Sequence, residues 1–393
     1  MNIPIVTIGS ISEQIRGVSY SKTDASDIRL EGYLPILRAG NITESGLTFD
    51  DLVFVPSGKI SNIQKIKKND ILIAASSGSL SVVGKAARAL DDFNGGFGAF
   101  CKVLRPNAKV DPAYFANYFF TSEYRRKISS VAAGANINNL RNSDIDDLEI
   151  PLPPLAEQKR IAAILDKADA IRRKRQQAIE LADEFLRSIF LDMFGDPVTN
   201  PKGWNVSNIG ALCSVLTGST PSRQENSYFS GNIPWVKTNE VDGYIIKETE
   251  EYITEEGIRN SNCKLNPIGS IVLAMYGQGK TRGKVGILGI EAATNQACAV
   301  IHPSININMG YLYNYLKLSY ETLRALGQGA GQPNLNLSIV KNFSVLMPPI
   351  ELQREFAKRV EKVEALKAKL KASQLQAEEQ FKALSQRAFA GEL

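Results

Sequence analysis

The sequence predicts a mixed α+β protein written twice: two similar globular domains separated by a long antiparallel two-helix coiled coil, pseudo-twofold duplicated. Three observations carry this. Short matches recur in order, 201 residues apart at Gly9 and Gly210 and 195 apart at Pro153 and Pro348. Each copy opens with short β-rich runs broken by Gly, Asn, Ser and Pro. Each copy closes on paired prolines followed by about 40 residues without Gly or Pro.

The matches run along the whole chain. Ile8-Gly9-Ser10-Ile11 returns as Ile209-Gly210-Ala211-Leu212, and Gly17 as Gly218. Pro35-Ile36-Leu37-Arg38 returns as Pro234-Trp235-Val236-Lys237, and Gly84-Lys85 as Gly283-Lys284. Residues 101–106 match 298–303, Asn139-Leu140 matches Asn334-Leu335, and Pro153-Pro154 with Gln158 matches Pro348-Pro349 with Gln353. A period this long is a domain duplication, not a solenoid. The division is therefore 1–152 and 196–347 for the globular copies, and 153–195 and 348–393 for the helices.

Within the globular copies, Ile71–Ala74, Ile271–Ala274 and residues 299–301 read as strands. One amphipathic helix is predicted in each, over 112–130 and 309–326. The long segments carry apolar stripes at alternating three- and four-residue spacing. In the first the stripe is Ile161, Ile164, Ala168, Ile171, Ala178, Ala182, Phe185 and Ile189, interrupted at Arg175. In the second it is Val360, Val363, Leu366, Leu370, Ser373, Ala377, Phe381 and Leu384. Each helix would span about 60 Å at ~1.5 Å per residue. A helix with one apolar stripe must bury it, and the cheapest partner is the other copy.

Composition narrows the function classes. Of 393 residues, 44% are hydrophobic and 22% charged, an ordinary globular balance. Lys+Arg 46 against Asp+Glu 41 gives +5, which permits nucleic-acid binding without demanding it. Cys101, Cys213, Cys263 and Cys298 form no CxxC pair, and His302 is the single histidine, which argues against a zinc site. Reduced thiols, the absence of a signal-peptide pattern in MNIPIVTIGS and the absence of a membrane-length apolar run point to the cytoplasm.

Ala274–Thr281, AMYGQGKT, fits a permissive phosphate-loop pattern. Such a loop must open a helix whose amides cradle phosphate. Here the sequel, residues 282–289, is glycine-broken and strand-like, and the first copy has no GKT, so a nucleotide site is rejected. Gln278, Lys280, Thr281, Arg282 and Lys284 instead form a glycine-spaced basic cluster suited to phosphates and base edges, against the bland reading of a solvated hairpin. GQGAGQPNLNL, residues 327–337, and GANINNLR, residues 134–141, are amide-rich loops after a helix. Asn and Gln can pair with adenine, although both also serve plain turns. Arg172-Arg173-Lys174-Arg175 is a basic run; most such runs are solvated faces, and phosphate contact and docking of an acidic partner are both open as functional readings. Catalytic constellations are missing: His302 has no nucleophile beside it, and the paired prolines lack the acidic or amide residue an amino-methyltransferase needs.

At this point the residues resemble a known family. PLPPLAEQKRIAAILDKAD and MPPIELQREFAKRVEKVEAL, each leading a long helix in duplicate, with PKGW, MYGQGKTRGKVGIL and TNQAC, are similar to the specificity subunit of type I restriction–modification systems. The resemblance implies that the globular parts are target recognition domains, each reading half of a bipartite double-stranded DNA site. It implies that the helices set the spacing and dock two methylase subunits. S-adenosylmethionine would come with those, and ATP and Mg with two motor–nuclease subunits, leaving this chain non-catalytic and without cofactor or metal. The candidate DNA contacts are Lys237, Tyr276, Gln278, Lys280, Thr281, Arg282, Lys284, Asn295, Gln328, Gln332 and Asn334 in the second copy. In the first they are Arg38, Ser76, Ser77, Ser79, Lys85, Asn136, Asn138 and Arg141. The alternative is a coiled-coil assembly scaffold that reads no DNA.

Overall fold

Alternation along one strand organises each copy. In Ile71–Ala74 all four side chains are buried, with Ile71 and Ile73 in one apolar cluster and Leu72 and Ala74 in another. A strand buried on both faces reads as an unbroken apolar run because successive side chains point to opposite sides. Ile271–Ala274 repeats this, with Ile271 and Leu273 on one side and Val272 and Ala274 on the other. The computed structural model describes residues 3–43, 46–133, 139–243, 245–277, 280–329 and 333–393. They form two compact units, 1–178 with 370–393, and 179–369.

The two units share one topology. In the first, an antiparallel sheet runs in the order Ser12–Arg16, Cys101–Pro106, Ile71–Ala74, Ala86–Arg88. A second sheet runs Val53–Pro56, Tyr33–Leu37, Gly96–Phe97, and Ile5–Thr7 pairs with Glu149–Pro151. In the second unit the order Val215–Thr217, Cys298–Ile301, Ile271–Ala274, Val285–Leu288 returns, extended by Ile245–Ile246. Tyr252–Ile253, Ile233–Val236, Ala293–Thr294 repeat the smaller sheet, and Asn205–Asn208 pairs with Ser344–Met347. The matched glycines mark the same close approach: a Cβ on Gly17 would lie 2.1 Å from the Gly98 carbonyl oxygen, and one on Gly218 2.1 Å from that of Thr294.

The single helix predicted in each globular copy is in fact two. Pro112–Tyr118 is followed by Ser122–Ala133, and Met309–Leu318 by Tyr320–Ala325. The break follows from hydroxyl chemistry. Thr121 Oγ1 donates to the Tyr118 carbonyl at 2.7 Å and accepts from Tyr124 N–H at 3.1 Å, so it competes with the helix ladder. Buried Ser319 occupies the same junction in the second copy.

The paired prolines are tied down by a buried glutamine. Gln158 Nε2 donates to the Pro153 carbonyl at 2.7 Å, and its Oε1 accepts from Asp111 N–H at 2.8 Å. Gln353 makes the same pair with Pro348 and Asn308, both at 2.9 Å. Asp111 and Asn308 in turn cap their own helices. One side chain thus fixes the start of each long helix, Leu155–Phe194 or Ile350–Ala390, to its globular domain. Gly195 and Gly391, both with left-handed backbone at φ +79° and +76°, end those helices.

The compact units cut across the four-part division expected from the chain, because each absorbs part of both long helices. Ile161, Leu165, Phe381 and Ala388 join the core of the first unit, and Phe190, Phe194 and Phe356 that of the second. In both units the helix segments run antiparallel. In the first, Gln374 Nε2 donates to Gln176 Oε1 at 2.9 Å, and Arg172 lies 5.5 Å over the Phe381 ring. In the second, Val363 packs on Ala182 and Leu186, and Phe356 meets Phe190 at 5.4 Å.

The seam needs correction. Gln158, Leu165, Arg172, Ile179, Leu186 and Met193, one every seven residues, are buried or half-buried. Ile161, Val363 and Phe381 are buried, and Ile164 and Leu370 half-buried. Ile171, Phe185 and Leu366, however, are 43%, 56% and 52% exposed. Each stands one residue before an inward-facing position: Arg172, Leu186 and Lys367. Two of those positions are polar, which drew the apolar reading onto the wrong neighbours. Arg172 is neutralised by Asp169 at 2.8 Å, and buried Lys367 by Asp183 and Glu364, both at 2.8 Å.

Candidate nucleic-acid interface

The basic loop leaves the end of Ile271–Ala274 and returns as Val285–Leu288, a strand-to-strand connection. It opens no helix, so AMYGQGKT lacks the amide cradle a nucleotide phosphate needs. Gln278 lies outside the described residues, as do Gln332, Asn136 and Asn138.

The remaining cations of the loop differ in what they are free to do. Arg282 reaches back, its guanidinium donating to the Pro333 carbonyl and, at 3.5 Å, to that of Arg324. Arg324 answers with a bond to the Arg282 carbonyl at 3.3 Å, and Tyr320 Oη donates to the Lys280 carbonyl at 2.6 Å. Arg282 is therefore a strut between loops. Lys284 is ion-paired with Asp242. Lys280 is exposed and makes no ion pair among the described residues. Tyr276 is exposed, and Thr281 is half-buried.

The amide-rich loop converges on the same place. Gln328 and Asn334 close it with reciprocal backbone bonds of 2.9 and 2.8 Å, and Leu335 N–H donates to the Met275 carbonyl at 3.0 Å. The first unit repeats the construction. Leu140 N–H donates to the Ala75 carbonyl at 2.8 Å, and Ser76 bridges Asn139. Arg125 does there what Arg324 does in the second unit, donating to the carbonyls of Val83 at 3.0 Å and Ser81 at 3.3 Å. Ser77 and Ser79 bond within their own loop, Lys85 is half-buried, and Arg141 is exposed.

Between the loops and the smaller sheet each unit has one tight turn, closed in the second by Cys298 N–H to the Asn295 carbonyl at 3.1 Å and in the first by Cys101 N–H to that of Gly98 at 2.8 Å. Asn295 Oδ1 also accepts from Ala297 N–H at 3.2 Å, so its oxygen is engaged in the turn. Lys237 is bound to Glu251 at 2.8 Å and Glu250 at 3.0 Å, bonds that raise its pKa. Glu251 also holds Arg223, whose guanidinium lies 4.1 Å over Phe229, and the bonds from Arg223 and Lys237 lower the Glu251 pKa. Arg38, its topological equivalent in the first unit, is exposed and donates to the Asp51 carbonyl at 2.8 Å.

Sequence reasoning missed Arg125, Arg324 and Arg223. Its one available cue was a basic residue on the second short helix of both copies. Burial pushes the Cys101 thiol up to about 12 and that of Cys213 to about 11, so these thiols are poor nucleophiles. Among the described residues no cluster of His, Cys, Asp and Glu could hold a metal, and no helix is long and apolar enough to cross a membrane.

Comparison with known proteins is consistent along the whole chain. The pattern of the type I restriction modification DNA specificity domain matches twice, at residues 3–181 and 201–378. The StySPI specificity subunit of Salmonella potsdam is 32% identical over 91% of this chain and 81% of its own length. The EcoKI specificity subunit of Escherichia coli K12 is 29% identical over the same shares. The crystal structure of the S subunit from M. genitalium has this fold, with a TM-score of 0.55 at 17% identity, over 99% of this chain and 96% of that one. With the duplicated domain, the glutamine-clamped prolines and the paired loops, these matches show that the chain belongs to the type I restriction–modification DNA specificity subunit family.

Proposed function

We propose that each globular domain reads one half of a bipartite double-stranded DNA site, while the long helices fix the separation of the halves and dock methylase subunits. The convergence of two loops at the same end of the sheet in both units supports this reading. In the second unit that end offers Lys280 for phosphate and Gln328, Asn334 and Tyr276 for groove contacts. Arg282 and Arg324 hold the loop in place, which lowers the ordering cost of binding. In the first unit serines replace the basic residues, so its half-site contacts rest more on hydroxyls, Arg38, Lys85 and Arg141.

Docking rests on a different observation. Leu181 and Phe185 are exposed, one helical turn apart, and flank the face that buries Ile179, Ala182 and Leu186. Exposed Leu366 adds to the apolar surface of the second unit. Large apolar side chains on a helix face invite partner helices. On this reading the chain works in the cytoplasm as a non-catalytic subunit. S-adenosylmethionine comes with two methylase subunits, and ATP and Mg with two motor–nuclease subunits.

The test is retention of DNA by the chain assembled with its methylase subunits. One bipartite sequence should survive competition by random DNA. Assembly with no sequence preference would establish the scaffold alternative instead.

A further inference from the structure

One aromatic side chain has no structural reason to be where it is. Phe100 is 71% exposed, more than any other aromatic side chain among the described residues. Its backbone is nevertheless rigid. Its carbonyl accepts from Ala75 N–H at 2.9 Å and Ser76 N–H at 3.0 Å, inside the turn closed by Cys101 N–H. Ser76 is the residue that bridges the amide-rich loop at Asn139. On the other side the same turn borders an open cleft of about 1240 Å³ shared with Tyr20, Lys22, Arg38 and Asp51. Phe100 therefore stands at the rim of this cleft, beside the turn that meets the amide-rich loop, where the first domain would lie on DNA.

The second domain differs at this point. The equivalent turn carries Ala297, only 8% exposed, preceded by exposed Gln296. An apolar ring held by a fixed backbone at the rim of a cleft, and left largely exposed by its own protein, suits insertion against a base. Stacking needs a π-face and tolerates a rigid approach, and apolar wedges between base steps partly unstack and kink the duplex.

We propose that Phe100 is a base-stacking wedge, so that the first domain reads the deformability of its half-site as well as its base edges, whereas the second does not. This rests on the DNA-reading function proposed above. It predicts a flexible pyrimidine–purine step in the first half-site, since such steps are the cheapest to unstack.

The test uses the chain assembled with its methylase subunits on its mapped site. Phe100→Ala should lower affinity for that site by about 5- to 150-fold, the range for losing one stacked base. It should leave non-specific binding unchanged. With 2-aminopurine at adenines of the first half-site other than the methylated one, wild type should brighten one position on binding, and Phe100→Ala should not. An abasic residue at that step should restore part of the lost affinity, since unstacking is then already done. Wild-type retention of the bipartite site, with Phe100→Ala binding it equally well, would overturn the wedge and leave the DNA-reading function standing. Failure of wild type to prefer any site would overturn that function first. A loss of affinity reproduced by thymine-to-uracil replacement, with no fluorescence change, would make Phe100 a methyl contact and also overturn the wedge.

Discussion

The glutamine clamp makes a quantitative prediction. Gln158 is 1% exposed, and its two bonds satisfy the Asp111 N–H and the Pro153 carbonyl. Gln158→Leu keeps the volume roughly constant and removes both partners. A stranded buried backbone group costs about 1–3 kcal/mol, so two cost about 2–6 kcal/mol. For a unit of about 200 residues, each kcal/mol moves the midpoint by ~2–4 °C. The first unit should therefore melt at least about 4 °C lower by calorimetry. Gln353→Leu should do the same to the second unit through Asn308 and Pro348, and the two effects should add, because the clamps share no partner. A midpoint lowered by less than ~2 °C in a folded Gln158→Leu protein would refute the reasoning, since both backbone groups would then have found water or other partners.

Three other expectations follow from particular residues. Lys280→Ala should weaken binding to all DNA sequences and reduce the log–log salt slope by roughly one unit. Lys284→Ala should change the slope less, because that ammonium is held by Asp242; equal slopes for the two variants would contradict this. His302 is pushed below the ordinary histidine range by burial first and by Lys264 second. Its neutral form is the one the fold accepts, so stability should fall as pH drops below the unfolded value of about 6.5 and level off below the folded one. As the single histidine, it gives one Cε1–H resonance, whose titration midpoint should lie below ~6.5; a midpoint above that would show a charged partner instead. Finally, four residues inserted after Ala178 would add ~6 Å and about one turn, preserving much of the seam. Methylation-site mapping should then show the half-sites kept and the gap between them lengthened by a base pair or two; altered half-site bases with an unchanged gap would show that the helices do not set the spacing.

Much of the fold was legible because it was written twice. A β-strand buried on both faces, as at Ile71–Ala74 and Ile271–Ala274, leaves an apolar run that few other elements imitate. The long helices announced themselves by the absence of Gly and Pro over forty residues. What failed was detail decided by polar groups. The inward positions at Arg172 and Lys367 are filled by charges that find partners on the same or the facing helix, so an apolar pattern points instead to the residues beside them, Ile171 and Leu366. The break at Thr121 depends on one hydroxyl. In the site, charge alone does not distinguish Lys280, which makes no ion pair among the described residues, from Lys284 and Lys237, which are paired with acids 42 and 13–14 residues away. Nor does sequence show that Phe100 faces outward, since an aromatic two residues before a buried strand's interior reads as core.

The central claim is that two domains of one chain read two separate half-sites. It is tested most directly by mapping methylated sites in a host carrying the methylase subunits with either the wild-type chain or a variant whose residues 276–284 and 327–335 are replaced by those of a relative with a different target. A bipartite motif should result in which one half changes while the other half and the gap stay as they were. A motif that changes in both halves, or one that does not change at all in a folded and active variant, would contradict it.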